Sequence, residues 1–216
     1  MKDLVKMFSL IQLILLSGFA QAHDIPSRVT VNAFVKPEGN ELTALIRVPM
    51  EALGEVSFPL RGPGFLQFSE AQCALDDAAR IYITESLKFF ENGEELTDKQ
   101  LRRTRVSLPS NRSFSSFEVA LENIMSPPLD DEIDLFWRQG VLDVLVTYSI
   151  KSEESDFSVN PELATLSDQT TTVLRFLVPN GAERVFNYLG NPGVVELDPR
   201  WHQAALRFIT MGFEHI

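Results

Sequence analysis

The sequence predicts a mainly β protein: an antiparallel, Ig-like β-sandwich with one short helix and a C-terminal apolar helix. Three observations carry that expectation. Short runs with period-2 apolar alternation recur along the chain. Clusters of Pro, Gly and Asn separate them. After Asp198 the alternation gives way to an apolar helical pattern.

The chain opens with Lys2 and Lys6, an apolar stretch from Met7 to Phe19, and Ala20-Gln21-Ala22. A positive start, an apolar centre and a small-x-small site define a cleavable signal peptide over 1–22. As a helix the apolar stretch covers about 20 Å, short of the roughly 30 Å hydrocarbon core, so an uncleaved anchor fits less well. The exported protein then begins at His23, with a domain over 23–197 and a terminal helix over 198–216.

Val29, Val31, Ala33 and Val35 alternate, Pro37-Glu-Gly-Asn40 turns the chain, and Leu42, Ala44, Ile46 and Val48 alternate back. This is a hairpin. Pro59, Gly62, Pro63 and Gly64 exclude a regular helix over 58–68. Ser69 can cap a short helix reaching Arg80, with Cys73 on its buried side. The run 81–91, the Asn92-Gly93 turn and a partner strand over 102–108 form a second expected hairpin. Phe117 to Ile124 fits either a helical turn or a strand. The run 140–150 is so continuously apolar that both faces must be covered. Thr170 to Val178 and Arg184 to Leu189 flank a Pro-Asn-Gly turn, and a short strand follows over 194–197.

The closing segment begins with Asp198-Pro199, an N-cap followed by proline at the first helical position. From Ala204 to Ile216 it is apolar nearly all round, which a surface helix is not. Two readings stay open: a terminal helix docked in a groove of the domain, or the opening half of a membrane helix.

The chain carries 19 basic and 30 acidic side chains. Residues 1–22 hold Lys2, Lys6 and Asp3, so the exported part carries 17 and 29. Such a surface repels nucleic acid and anionic lipid. A single cysteine gives no intramolecular disulfide. There is no H-E-x-x-H, C-x-x-C or G-x-S-x-G pattern, and the sequence reads as noncatalytic.

The three histidines are His23, His202 and His215. Cleavage would place the His23 imidazole and a free α-amine on one residue, a pair able to chelate nickel, copper or zinc; the alternative is a solvated terminus. His202 suits a helix terminus. His215 sits in the apolar helix, where an ionisable group at membrane depth marks function; in a soluble chain it would simply be exposed. Asp130-Asp-Glu132 with Asp134 lacks the spacing of a calcium loop and reads as a solvated run. Phe136 and Trp137, next to Arg138, read first as core packing, with a small aromatic patch as the alternative. Asn111-Arg-Ser113 matches the glycosylation sequon.

Several motifs together resemble the exported N-terminal region of bacterial HupE/UreJ-like membrane proteins. They are His23-Asp-Ile-Pro, Phe34-Val-Lys-Pro-Glu-Gly39, Arg61-Gly-Pro-Gly64, Arg105-Val-Ser-Leu-Pro-Ser110, Trp137-x-Gln-Gly140 and, most specifically, Asp198-Pro-Arg-Trp-His-Gln-Ala-Ala-Leu-Arg-Phe208 running into Gly212-Phe-Glu-His-Ile216. The resemblance spans the whole exported chain. It implies that Gly212–Ile216 opens a transmembrane bundle, and that the chain stops within the first membrane helix. Relatives are grouped with hydrogenase and urease accessory proteins, which implies nickel or a related metal ion and permease activity. Of the family's metal-associated motif only His215 has a counterpart. The expectation is therefore a periplasmic, noncatalytic domain held at the inner membrane or on a membrane-protein partner, with His23 and His215 as metal ligands and nickel or copper as the ion. The alternative is a stand-alone periplasmic metal- or partner-binding module.

Overall fold

The structure, a computed structural model, describes residues 28–167, 169–179 and 181–197. The expected signal segment 1–22, the expected helix 198–216 and all three histidines lie outside the described residues.

In chain order the elements are β1 (Val29–Glu38), β2 (Glu41–Pro49), β3 (Leu60–Arg61), β4 (Phe65–Leu66), α1 (Gln72–Ala79), β5 (Leu87–Glu91), β6 (Glu94–Glu95), β7 (Lys99–Ser107), α2 (Phe117–Met125), β8 (Val141–Ser149), β9 (Phe157–Pro161), β10 (Thr170–Leu177), β11 (Glu183–Leu189) and β12 (Val195–Glu196). The protein is mainly β, as its alternation dictates. A six-stranded sheet runs β11-β10-β1-β2-β8-β7, and a four-stranded sheet runs β12-β9-β5-β6. The β3–β4 hairpin stands apart.

The expectation of purely antiparallel pairing needs correction. β1 pairs with β2 antiparallel but with β10 parallel, Val29 opposite Thr170 through Val35 opposite Phe176. Local alternation cannot reveal this, because the two strands are more than a hundred residues apart.

Side chains of both larger sheets share one core. Val31, Leu42, Ile46, Leu142 and Leu174 come from the first; Leu87, Phe89, Phe157 and Val159 come from the second. Ring contacts join them: Phe89 meets Tyr148 at 5.1 Å and Phe157 meets Phe176 at 6.2 Å. β8, between β2 and the edge strand β7, is the continuously apolar strand that the sequence predicts, buried along nearly its whole length.

The other face of the six-stranded sheet carries a smaller core. Phe34, Leu45 and Leu145 of the sheet pack against Phe117, Ala120 and Ile124 of α2. The 117–124 segment is thus helical, its apolar residues at 117, 120 and 124 forming one face. Ser116 caps it, its hydroxyl accepting the Val119 N–H at 3.4 Å. At its other end Arg103 of β7 donates to the carbonyls of Ile124 and Ser126, and Arg105 donates to that of Pro127. Cations at a helix C-terminus satisfy its free carbonyls and oppose its dipole.

Two further expectations change. The Asn92-Gly93 turn does form a hairpin, but with two-residue β6; the run predicted as its partner belongs to β7 and pairs with β8 in the other sheet. The helix expected from Ser69 begins at Gln72, without a side-chain cap, and ends in a π-turn over Arg80–Thr84. Its buried residues include Leu75, Ala78 and Ala79. Cys73 lies about 200° around the helix from Leu75. It is accordingly exposed, not buried as the sequence suggested.

Candidate functional site

The residues expected to bind metal, His23 and His215, lie outside the described residues, as does His202. Among the described residues no group of three or more His, Cys, Asp or Glu side chains is placed to hold a metal ion. Nor is any helix among them long and apolar enough to cross a membrane.

The acidic run 130–134 is engaged locally. Asp130 accepts the Glu132 N–H, Asp131 accepts the Ser69 N–H at 3.1 Å, and Asp134 pairs with Arg61 at 2.9 Å. Hydrogen bonds from the Ser69 hydroxyl and N–H hold the Asp131 carboxyl below the usual carboxylate range.

A polar network lies beneath α2. Arg47 of β2 and Asp143 of β8 are register partners. The Arg47 Nε donates to Asp143 Oδ1 at 2.6 Å, and its Nη2 donates to Oδ2 at 2.7 Å. Asp143 is fully buried. Its Oδ2 also accepts from the Ser107 hydroxyl at 2.7 Å and from Asn123 Nδ2 at 3.0 Å. Arg47 reaches further to the Asn111 carbonyl, Asn111 Oδ1 and Ser113 Oγ, and lies 4.3 Å over the Phe114 ring. Asn111 Nδ2 donates to Asn123 Oδ1, which closes the ring of contacts. Arg105, the next cation along, is partly desolvated; burial pushes its pKa down while nearby Asp143 opposes the shift.

The alternation in β2 and β8 assigned only the apolar residues of each strand. The signal for this pair was nonetheless present: a lone charge within a strand covered on both faces must find a partner. Chemically the network holds the sheet and α2 together. Ser107 donates its proton to a carboxylate that is already saturated with donors, which does not activate an oxygen nucleophile. The sequon residue Asn111 engages both ends of its side-chain amide in this network.

The second notable site is on the surface. Two sequence motifs far apart in the chain, Arg61–Gly64 and Trp137–Gly140, meet at the β3–β4 hairpin. Leu66 N–H donates to the Leu135 carbonyl at 2.9 Å, Trp137 N–H donates to that of Gly64 at 3.3 Å, and Phe65 bridges Phe136. Gly64 adopts φ +123, a conformation that side-chain-bearing residues avoid. Gly140 is needed for a different reason: a Cβ there would lie 2.9 Å from Met50 Sδ and 3.3 Å from the Trp137 carbonyl oxygen.

Around these motifs Phe65 and Phe136 pack at 4.5 Å, Arg61 lies 5.4 Å over Phe65, and Arg138 lies 5.3 Å over Trp137. Trp137 packs partly against the main core, as expected. Phe136 does not: it is 42% exposed, on the same face of the hairpin as Arg61 and Phe65. Aromatic rings and arginines with exposed apolar edges are the composition of a protein-contact surface. No protein-family model matches the chain, and no curated protein matches it.

Proposed function

We propose that this chain is a noncatalytic exported domain of HupE/UreJ-like type, seated on the outer side of the inner membrane and serving transport or handling of nickel or a related metal ion. The observation that carries this reading is the meeting of Arg61–Gly64 and Trp137–Gly140. These motifs, which the resemblance also marks, meet beside the exposed Phe136 ring, an arrangement suited to seating a partner. The fold reading that goes with it is an Ig-like sandwich, supported by the single core shared by the two larger sheets. His23, with its terminal amine, would receive the metal outside the membrane, and His215 would mark the start of the membrane path.

A second reading, a stand-alone periplasmic metal- or partner-binding module, is favoured by the same aromatic surface, which needs no membrane helix to act. Titration of nickel or copper into the exported chain beginning at His23, against His23→Ala, tests the metal role. A drop in affinity of tenfold or more in the variant supports it; equal affinity removes it.

A further inference from the structure

The two edges of the six-stranded sheet are treated differently. On β7 the ladder is interrupted by a bulge at Arg102, and α1 leans on the strand through Gln72, which donates to Thr104 Oγ1 at 2.7 Å. Bulges and covering elements are devices that keep an edge from pairing with other chains. β11 has neither. Among the described residues no strand pairs with its outer side.

Its hydrogen-bonding phase follows from its flanks. Gly190 N–H donates to the Thr170 carbonyl, and Val178 N–H donates to that of Ala182. With Thr172 opposite Tyr188 and Leu174 opposite Phe186, the even-numbered residues of β11 bond to β10. The antiparallel alternation then turns the N–H and C=O groups of Val185, Asn187 and Leu189 away from the sheet. The side chains of Val185 and Leu189 are 54% and 70% exposed.

The sequence between them is Val185-Phe-Asn-Tyr-Leu189: aliphatic, aromatic, amide, aromatic, aliphatic. It reads the same, by chemical class, in both directions about Asn187. We infer that β11 is a self-pairing edge that joins two copies of this chain, antiparallel, about a two-fold axis at Asn187. An isologous contact needs a self-complementary surface, and this segment supplies one. Val185 pairs with Leu189 of the second copy, and Asn187 meets its own counterpart; these positions have outward-facing backbone groups in both copies. Phe186 faces Tyr188 of the second copy at a non-hydrogen-bonded position, where side chains approach most closely. The charges also fit. The chain is strongly acidic overall, but residues 185–189 carry no charge. In this register Glu183 and Arg184 fall beyond the apolar ladder, so two acidic molecules meet without like charges opposed. A register centred on Phe186 would set Glu183 against Leu189.

The test uses the full chain, exported by intact cells, in a Cys73→Ser background because the native thiol is exposed. Asn187→Cys places two sulfur-bearing residues at a hydrogen-bonded pair, about 5.5 Å apart between Cα atoms and within disulfide reach. It should give a disulfide-linked dimer on a non-reducing gel. Val185→Cys alone should not, because the two copies of residue 185 are offset by four residues, about 13 Å. Sedimentation of the purified chain in detergent should give a dimer, converted to monomer by Asn187→Pro. That proline removes an N–H that β10 does not use, so the circular dichroism and melting profile of the fold should remain. A monomeric wild-type chain, crosslinking through residue 185 as readily as 187, or a dimer indifferent to Asn187→Pro while the fold is intact would each overturn the inference. The last result would assign the edge to another occupant.

Discussion

Arg47 and Asp143 face each other across β2 and β8 with both guanidinium–carboxylate contacts shorter than 2.8 Å. Each charge exists in the interior only because the other is there.

That relationship sets a stability prediction. Asp143→Asn leaves the Arg47 guanidinium buried without its counter-charge, and should cost about 3–5 kcal/mol. The double replacement Arg47→Met with Asp143→Leu should cost clearly less than the sum of the two single changes, because the desolvation of both charges disappears together. Urea unfolding of the chain beginning at His23, of Asp143→Asn, of Arg47→Met and Asp143→Leu singly, and of the double replacement measures this. Additive losses would show that the two residues act separately.

Gly140→Ala tests the packing beneath the aromatic surface. The added methyl meets Met50 Sδ and the Trp137 carbonyl, and overpacking of this kind costs about 1–3 kcal/mol. Met50→Ala in the same chain should return part of the loss relative to Met50→Ala alone. Thermal melts of the four proteins give the comparison. A neutral Gly140→Ala would mean that Met50 yields freely.

Much of the sheet was legible in the sequence, and the reasons it was not wholly so are particular. β1, β2, β8, β10 and β11 announce themselves by alternation or continuous apolarity, which are local properties. The parallel pairing of β1 with β10 and the transfer of Lys99–Ser107 to β8 depend on distant partners, which local pattern does not encode. Residues 117–124 suited helix and strand alike. What favours the helix is tertiary: Phe34, Leu45 and Leu145 offer a surface for one helical face, and Arg103 and Arg105 bind its terminal carbonyls. Of the candidate site, the motif residues 61–64 and 137–140 were visible one at a time, but their meeting was not. Asp143, a lone charge in an apolar strand, carried a signal that the apolar pattern of its neighbours left unused.

The Asp131 carboxyl gives a pH signature. Its pKa is lowered in the folded protein by the Ser69 hydroxyl and N–H, so its contribution to stability is present above the unfolded-state carboxylate pKa. That contribution is lost as pH falls through the lower folded value. Ser69→Ala should raise the Asp131 pKa toward the ordinary range and flatten this part of the acid limb. Carboxyl carbon NMR through a pH titration measures the shift directly; an unmoved Asp131 resonance would deny Ser69 the role.

Cell fractionation tests most directly the proposal that this is an exported domain held at the inner membrane. Cells producing the full chain, and cells producing a version without residues 204–216, are separated into periplasmic and carbonate-washed membrane fractions. The account predicts the full chain in the membrane fraction, shortened by loss of residues 1–22, and the deleted version in the periplasm. Equal recovery of both versions in the soluble fraction would contradict it.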